Sequence, residues 1–278
     1  MDVHHVPSDF AQWRTAFLRQ WKFYIRTSRF LGLLIFVLIV TVAFTAVTVY
    51  LHDSGTSGAD YMYGAAGEIG TFGIIIGAFI GGDAIAMDFG SGTGYFMLVL
   101  PVKRLVILLG RYAAAFVTTL VLIAVYLAVP LLAAIYFWGF SGIPWLDLGE
   151  SVLLAALYGL AVLSTAFFFS ALFRSPAVSM VATILILFLG FLIIDGVVGT
   201  SLGYEPWFSL LYAGSVVGLP LVSQAHHTVQ HTPVGAGRTI TTHLWYPYIW
   251  EGTAILLAYF VIFLALSAVI YQYKESKG

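Results

Sequence analysis

Four histidines, His226, His227, His231 and His243, crowd one polar stretch of an otherwise apolar chain. Imidazoles ligate zinc and copper, and two of them four residues apart on a helix can share an ion. His227 and His231 have that spacing, and with His226 they form the candidate metal set. Pro220, Pro233 and the neighbouring glycines argue against a regular helix there, so solvated loop histidines are the plainer expectation. Cysteine is absent, which excludes disulfides, thiolate metal sites and cysteine nucleophiles. No Gly-x-x-x-x-Gly-Lys-Ser/Thr loop and no His-Glu-x-x-His pattern occurs. The chain is therefore expected to be neither a nucleotide hydrolase nor a zinc protease, and to hold no cofactor of its own.

The elements that carry these residues are set by composition. Of 278 residues 60% are hydrophobic and 9% charged, and the mean hydropathy is +0.96; a soluble domain carries about a quarter charged residues. Uncharged runs cover 30–51, 112–146, 151–173, 175–194 and 252–273, and 61–82 adds another interrupted only by Glu68. Each reaches or exceeds the roughly 20 residues that cross a bilayer. As one helix the 112–146 run would measure ~50 Å, too long for one span and barely enough for two.

Charge sidedness resolves the count. With six spans, eleven of the twelve basic residues, among them Arg29, Lys103, Arg104, Arg111 and Arg174, share one side, and Arg238 stands alone opposite. That is the positive-inside pattern, with both termini cytoplasmic. Splitting the 112–146 run would scatter it, so a single long third helix is predicted, with Pro130 as the place for a bend. Asp83 and Asp195 then lie at opposite faces and cannot form a protease pair. None of the seven histidines falls within a span, which removes haem ligation inside the membrane.

The fold expected is an all-α integral membrane domain, 30–278, preceded by an amphipathic interfacial elbow helix in 1–29. In that elbow Phe10, Trp13, Phe17, Trp21, Tyr24 and Ile25 recur at helical spacing, basic residues cluster on another sector, and Ser8 is placed to cap it. The loop 196–250 contains one more apolar stretch, 207–222, too short and too rich in glycine and proline to cross. A re-entrant or interfacial segment on the outer side, between the fifth and sixth helices, is predicted. Gly73, Gly77 and Gly81, spaced by four, form a flat face for close helix packing.

The most specific pattern lies between the second and third spans. It runs Asp83, Asp88, Phe89, Gly92, Thr93, Phe96, Leu98, Leu100, Pro101, Val102, Lys103, Arg104, Gly110, Arg111. Thr93 can cap a short helix whose apolar side chains would enter a groove on a partner, and Pro101 would end it. In these residues the sequence resembles the permeases of the ABC-2 exporter family, with Asp88 where glutamate is common and with Gly90, Ser91 and Gly94 in what is often a charged turn.

The resemblance implies a coupling segment, 88–101, that docks on a separate ATP-hydrolysing subunit present in two copies. ATP and magnesium would be held there and not by this chain. It also implies a second permease subunit, as a homodimer, a place in the plasma membrane, and outward transport of an amphiphilic, lipid-like or drug-like molecule. Phe36, Phe44, Phe72, Phe79, Phe188 and Phe191 are the candidate lining. Nothing points to nucleic acid. The expectation from a different class is a membrane-embedded metal-handling or assembly factor that uses the histidine cluster.

Overall fold

The computed structural model describes residues 8–50, 57–87, 103–222, 224–233 and 239–276. Among these, six helical stretches are long and apolar enough to cross a membrane. The chain begins with the elbow. Ser8 accepts from the amide of Ala11 and starts α1, Asp9–Arg26. Phe10, Trp13, Phe17 and Trp21 stack in succession along it, with ring centroids 5.5–6.0 Å apart, because residues three and four apart share a helix face.

The first span is α2, Ser28–Tyr50. The second is two helices in line, α3, Gly58–Gly67, and α4, Ile69–Gly81, joined at Glu68. Ser57 opens α3 with a reciprocal cap, its hydroxyl accepting from the Asp60 amide while the Asp60 carboxylate accepts from the Ser57 amide. The third span, α5, is Arg104–Trp138. It is one helix of 35 residues that continues through Pro130.

Its bounds differ from the uncharged run 112–146. The helix starts earlier, because Arg104 and Arg111 are no obstacle at a helix end that reaches water, and it stops at Gly139, whose φ of 73° suits glycine. The end of the run belongs to the next span, α6, Trp145–Leu172.

The fifth span, Pro176–Ser201, is irregular. α7, Pro176–Ile184, and α8, Phe191–Ile194, alternate with wide π-type turns at Leu185–Gly190 and Asp195–Ser201. The second of these carries five-residue side-chain bonds, Thr200 to the carbonyl of Asp195 and Ser201 to that of Gly196. After it come a short α9, Leu210–Gly214, two further tight turns ending at Leu221, and the last span within α10, Ile249–Ser276.

The interior is built on α4 and α6. A methyl group at Gly73 would lie 2.6 Å from the Tyr158 ring, and one at Gly81 would lie 2.9 Å from Ala166. The glycine face is thus spent on contact within the chain, where small residues let two backbones approach. Tyr158 lies fully buried in this seam and donates to the carbonyl of Gly70 at 2.5 Å. α10 packs along α6, while α1, α2 and α3 pack against α5.

The stretch Leu210–Leu221 buries Leu210, Tyr212, Ala213, Val216, Val217 and Leu221 among these helices. Ser151 of α6 donates to the carbonyl of Val217 at 2.6 Å, which fixes it there.

One element departs from the all-helical expectation. β1, His227–Pro233, and β2, Thr239–Trp245, pair antiparallel, with His227 opposite Trp245, Val229 opposite His243 and His231 opposite Thr241. Their content of Thr, Val, Ile, His and Trp favours a pleated, half-exposed ribbon.

Candidate functional site

The two ends of the helical bundle carry the polar chemistry. One holds the basic residues that flank the spans, and the other holds the histidines. At the basic end, Asp88, Phe89, Gly92, Thr93, Phe96, Leu98, Leu100 and Pro101 lie outside the described residues. What the structure does show is how the chain is held on either side of them.

The chain leaving α4 is pinned three ways. Ser170 of α6 accepts from the amides of Ile85 and Ala86 at 2.9 and 3.0 Å, Ser179 of α7 donates to the carbonyl of Gly82, and Arg29 of α2 donates to Asp83 at 2.5 Å. Asp83 is buried and Arg29 largely exposed. Burial pushes the Asp83 carboxyl up from the ordinary carboxylate range, and the Arg29 charge opposes it. Beside the pair, Phe23, Tyr24, Thr27, Phe30 and Phe79 line a small pocket.

The chain resumes at Lys103 and is pinned again, this time by the elbow. The Lys103 amide donates to Gln12 at 3.2 Å and its ammonium group contacts Asp9 at 2.6 Å. Seven residues on, α1 lies directly on α5. A methyl group at Gly110 would be 2.8 Å from the carbonyl oxygen of Trp13 and 2.9 Å from Ala16, so only glycine admits the elbow helix at this distance. Arg104 is the first residue of α5.

The six phenylalanines proposed as a lining are dispersed. Phe72 meets Tyr126 at 5.5 Å and Phe191 meets Tyr259 at 6.4 Å. Phe79 and Phe36 are each 43% exposed, on different helices. Phe44 is partly buried and Phe188 packs against the interior. Among the described residues no ring contact joins any two of the six.

At the other end the hairpin separates the histidines that a helix would have aligned. His227 and His231 are four residues apart in a strand, about 13 Å at the usual rise, and not one helical turn apart. His227 stacks on Trp245 at 3.9 Å and its Nε2 lies 3.0 Å from Nδ1 of His243. His231 contacts the Thr241 hydroxyl at 3.1 Å. His226, just before the strand, meets two carboxylates, Glu205 and Glu251, the three ligand atoms lying within 4.8 Å of one another.

Sequence periodicity offered no sign of this group, since its members come from three separate segments. The hairpin was more legible: two runs rich in β-branched residues flank 234–238, which holds two glycines.

Six candidate spans, a first helix clasped to the third span and an irregular fifth span make up the described membrane architecture. The sequence profile describing ABC-2 family transporter proteins matches residues 40–269. The chain belongs to the ABC-2 transporter family. A comparison with curated proteins finds no match.

For an ABC-2 permease the match reaches from the middle of α2 to α10, and so includes both the pinned ends at Asp83 and Lys103 and the Glu205, His226 and Glu251 group. It leaves out α1, whose place in the fold rests on its contact with α5. As a family, these permeases are the membrane components of transporters whose ATP hydrolysis is carried out by a separate subunit.

Proposed function

We propose that this chain is an exporter subunit that pairs with a second copy of itself and is driven by two copies of an ATPase docked on residues 88–101. Magnesium and ATP are held by that partner. The basic end faces the cytoplasm of the cell, as the distribution of Arg29, Lys103, Arg104, Arg111 and Arg174 favours. The stretch Leu210–Leu221 is then a re-entrant segment on the far side.

The observation that carries the reading is how firmly the chain is held on either side of residues 88–101. Before them, Gly82, Asp83 and Ile85 are tied to α7, α2 and α6; after them, Lys103 is tied to α1, which lies along α5 at Gly110. A push delivered between Asp83 and Lys103 reaches five helices at once, because packed helices move as bodies and do not absorb displacement within side chains.

The cargo favoured is amphiphilic. α2 and α10 present long exposed apolar faces, including Leu31, Ile35 and Ile39 on one and Leu257, Val261 and Val269 on the other. Such faces suit lipid, a lipid-like cargo or the second permease copy.

Leu98→Asp and Leu100→Asp test the docking in the complex purified with its ATPase. Each is expected to abolish cargo-stimulated ATP hydrolysis while the permease keeps its thermal unfolding profile. Hydrolysis and association unchanged in both would refute the contact. Because the chain has no cysteine, Lys103→Cys supplies a unique thiol, expected to react with an impermeant maleimide only after the membrane is opened. Reaction in intact cells would reverse the topology.

A further inference from the structure

We propose that Glu205, His226 and Glu251 form a binding site for one divalent transition-metal ion of borderline hardness, with zinc as the ion that fits. The site is distinct from the 88–101 segment and stands whether or not that segment docks an ATPase. It also differs from the histidine set expected from spacing, of which it uses His226 alone.

The argument begins with the imidazole. Nδ1 of His226 lies 2.6 Å from the carbonyl oxygen of Tyr246, an acceptor only, so Nδ1 carries the proton. In the neutral ring Nε2 then presents a lone pair. That lone pair faces Oε1 of Glu205 at 3.6 Å, with Glu251 alongside. Three ligand atoms thus converge, and the hydrogen bond that joins the two carboxyl groups is one that a cation would replace. A ligating histidine whose other ring nitrogen donates to a backbone carbonyl is the usual device for presenting one nitrogen to a metal.

The supports of the other two ligands agree. Tyr212 donates its hydroxyl hydrogen to Oε1 of Glu205, and the Tyr248 amide donates to Oε2 of Glu251 at 3.3 Å. The Tyr248 ring stacks on His226 at 4.4 Å, with planes 9° apart, which holds the imidazole in its plane. Each support engages only one oxygen of its carboxylate. Metal bonds of about 2.0–2.2 Å place tetrahedral ligand atoms about 3.4 Å apart, so ligands now within 4.8 Å need only small side-chain rotations.

One nitrogen with two carboxylate oxygens suits zinc in preference to a soft ion, which would call for thiolate or thioether, and leaves a fourth position for water. The three residues come from the loop that follows the fifth span, the approach to β1 and the first turn of α10. An ion there would staple the hairpin loop to the last helix and restrict a long connection.

The test uses the full chain in nanodiscs, stripped with chelator and titrated with zinc chloride by calorimetry, with cobalt absorption as a second readout. Wild type is expected to bind one zinc per chain. Glu205→Gln, Glu251→Gln and His226→Ala should each weaken that binding by about a hundredfold or more, and Tyr212→Phe by about tenfold. The His227→Ala, His243→Ala double variant should bind as wild type does.

Absence of saturable zinc binding in the wild type overturns the proposal and leaves a carboxyl pair neutralised by proton and imidazolium. Retention in His226→Ala with loss in the double variant places the ion on the hairpin pair and also overturns it. Should His226→Ala fail to fold, the near-isosteric glutamine variants decide, and wild-type binding in both refutes the site.

Discussion

The basic end and the histidine end of this ABC-2 permease solve opposite electrostatic problems. At the basic end every described close contact of a carboxylate is with a cation or a donor: Asp83 has Arg29, and Asp9 has Lys103. Charge is balanced there without help, and the contacts hold the chain on both sides of 88–101. At the histidine end Glu205 and Glu251 face one imidazole and each other, and their other donors, the Tyr212 hydroxyl and the Tyr248 amide, are neutral. A self-neutralised end is suited to transmitting motion, and an under-neutralised end is suited to taking up a cation.

Disruption of the clasp between α1 and α5 should have the largest effect. Gly110→Leu drives a side chain into the backbone of Trp13 and is expected to cost about 3 kcal/mol of stability, at the upper end for overpacking. Thermal unfolding in detergent measures it, and zinc binding at the far end should survive in the folded fraction. If the two ends were one cooperative network, both properties would fall together.

Tyr212→Phe strikes the other end. It removes a hydrogen bond to a carboxylate and is expected to cost about 1.5 kcal/mol in chelator, with no change in ATPase association. Lys103→Glu breaks an exposed pair and should cost less than about 1 kcal/mol, the loss shrinking as salt is added. Restoration by Asp9→Lys in the same chain would show that the pair, and not either residue alone, is responsible.

The smallest effect is a slope. The folded state raises the Asp83 pKa above its ordinary value of 3.8. Folding therefore favours the protonated carboxyl, and the stability this confers is complete below the ordinary value and is lost as pH rises through the raised one. Asp83→Asn should flatten the fall in unfolding temperature over that interval. An unchanged slope would assign it to another group.

Much of the architecture was readable in the residue order. Apolar run length and the placement of basic residues determine six spans, and Ser8 with the aromatic stripe determines α1, because bilayer thickness and helix periodicity act locally. The glycine spacing in α4 foretold close packing but not its partner, which is α6. Span boundaries were misjudged where charge was taken for an end: α5 begins at Arg104, eight residues before the uncharged run, since helix ends at an interface tolerate charge.

The π-type turns around Phe191–Ile194 and the hairpin that separates His227 from His231 arise from long-range packing, with only the strand composition visible beforehand. Residue order alone made this chain a helical membrane protein with a basic end and a histidine end, for apolar run length and charge act on each segment separately. The meeting of Glu205, His226 and Glu251 depended on the folded chain. Segments far apart in sequence carry no local signal of one another, and only the packing of α10 against its neighbours, together with the pairing of β1 with β2, brings them within reach of one ion.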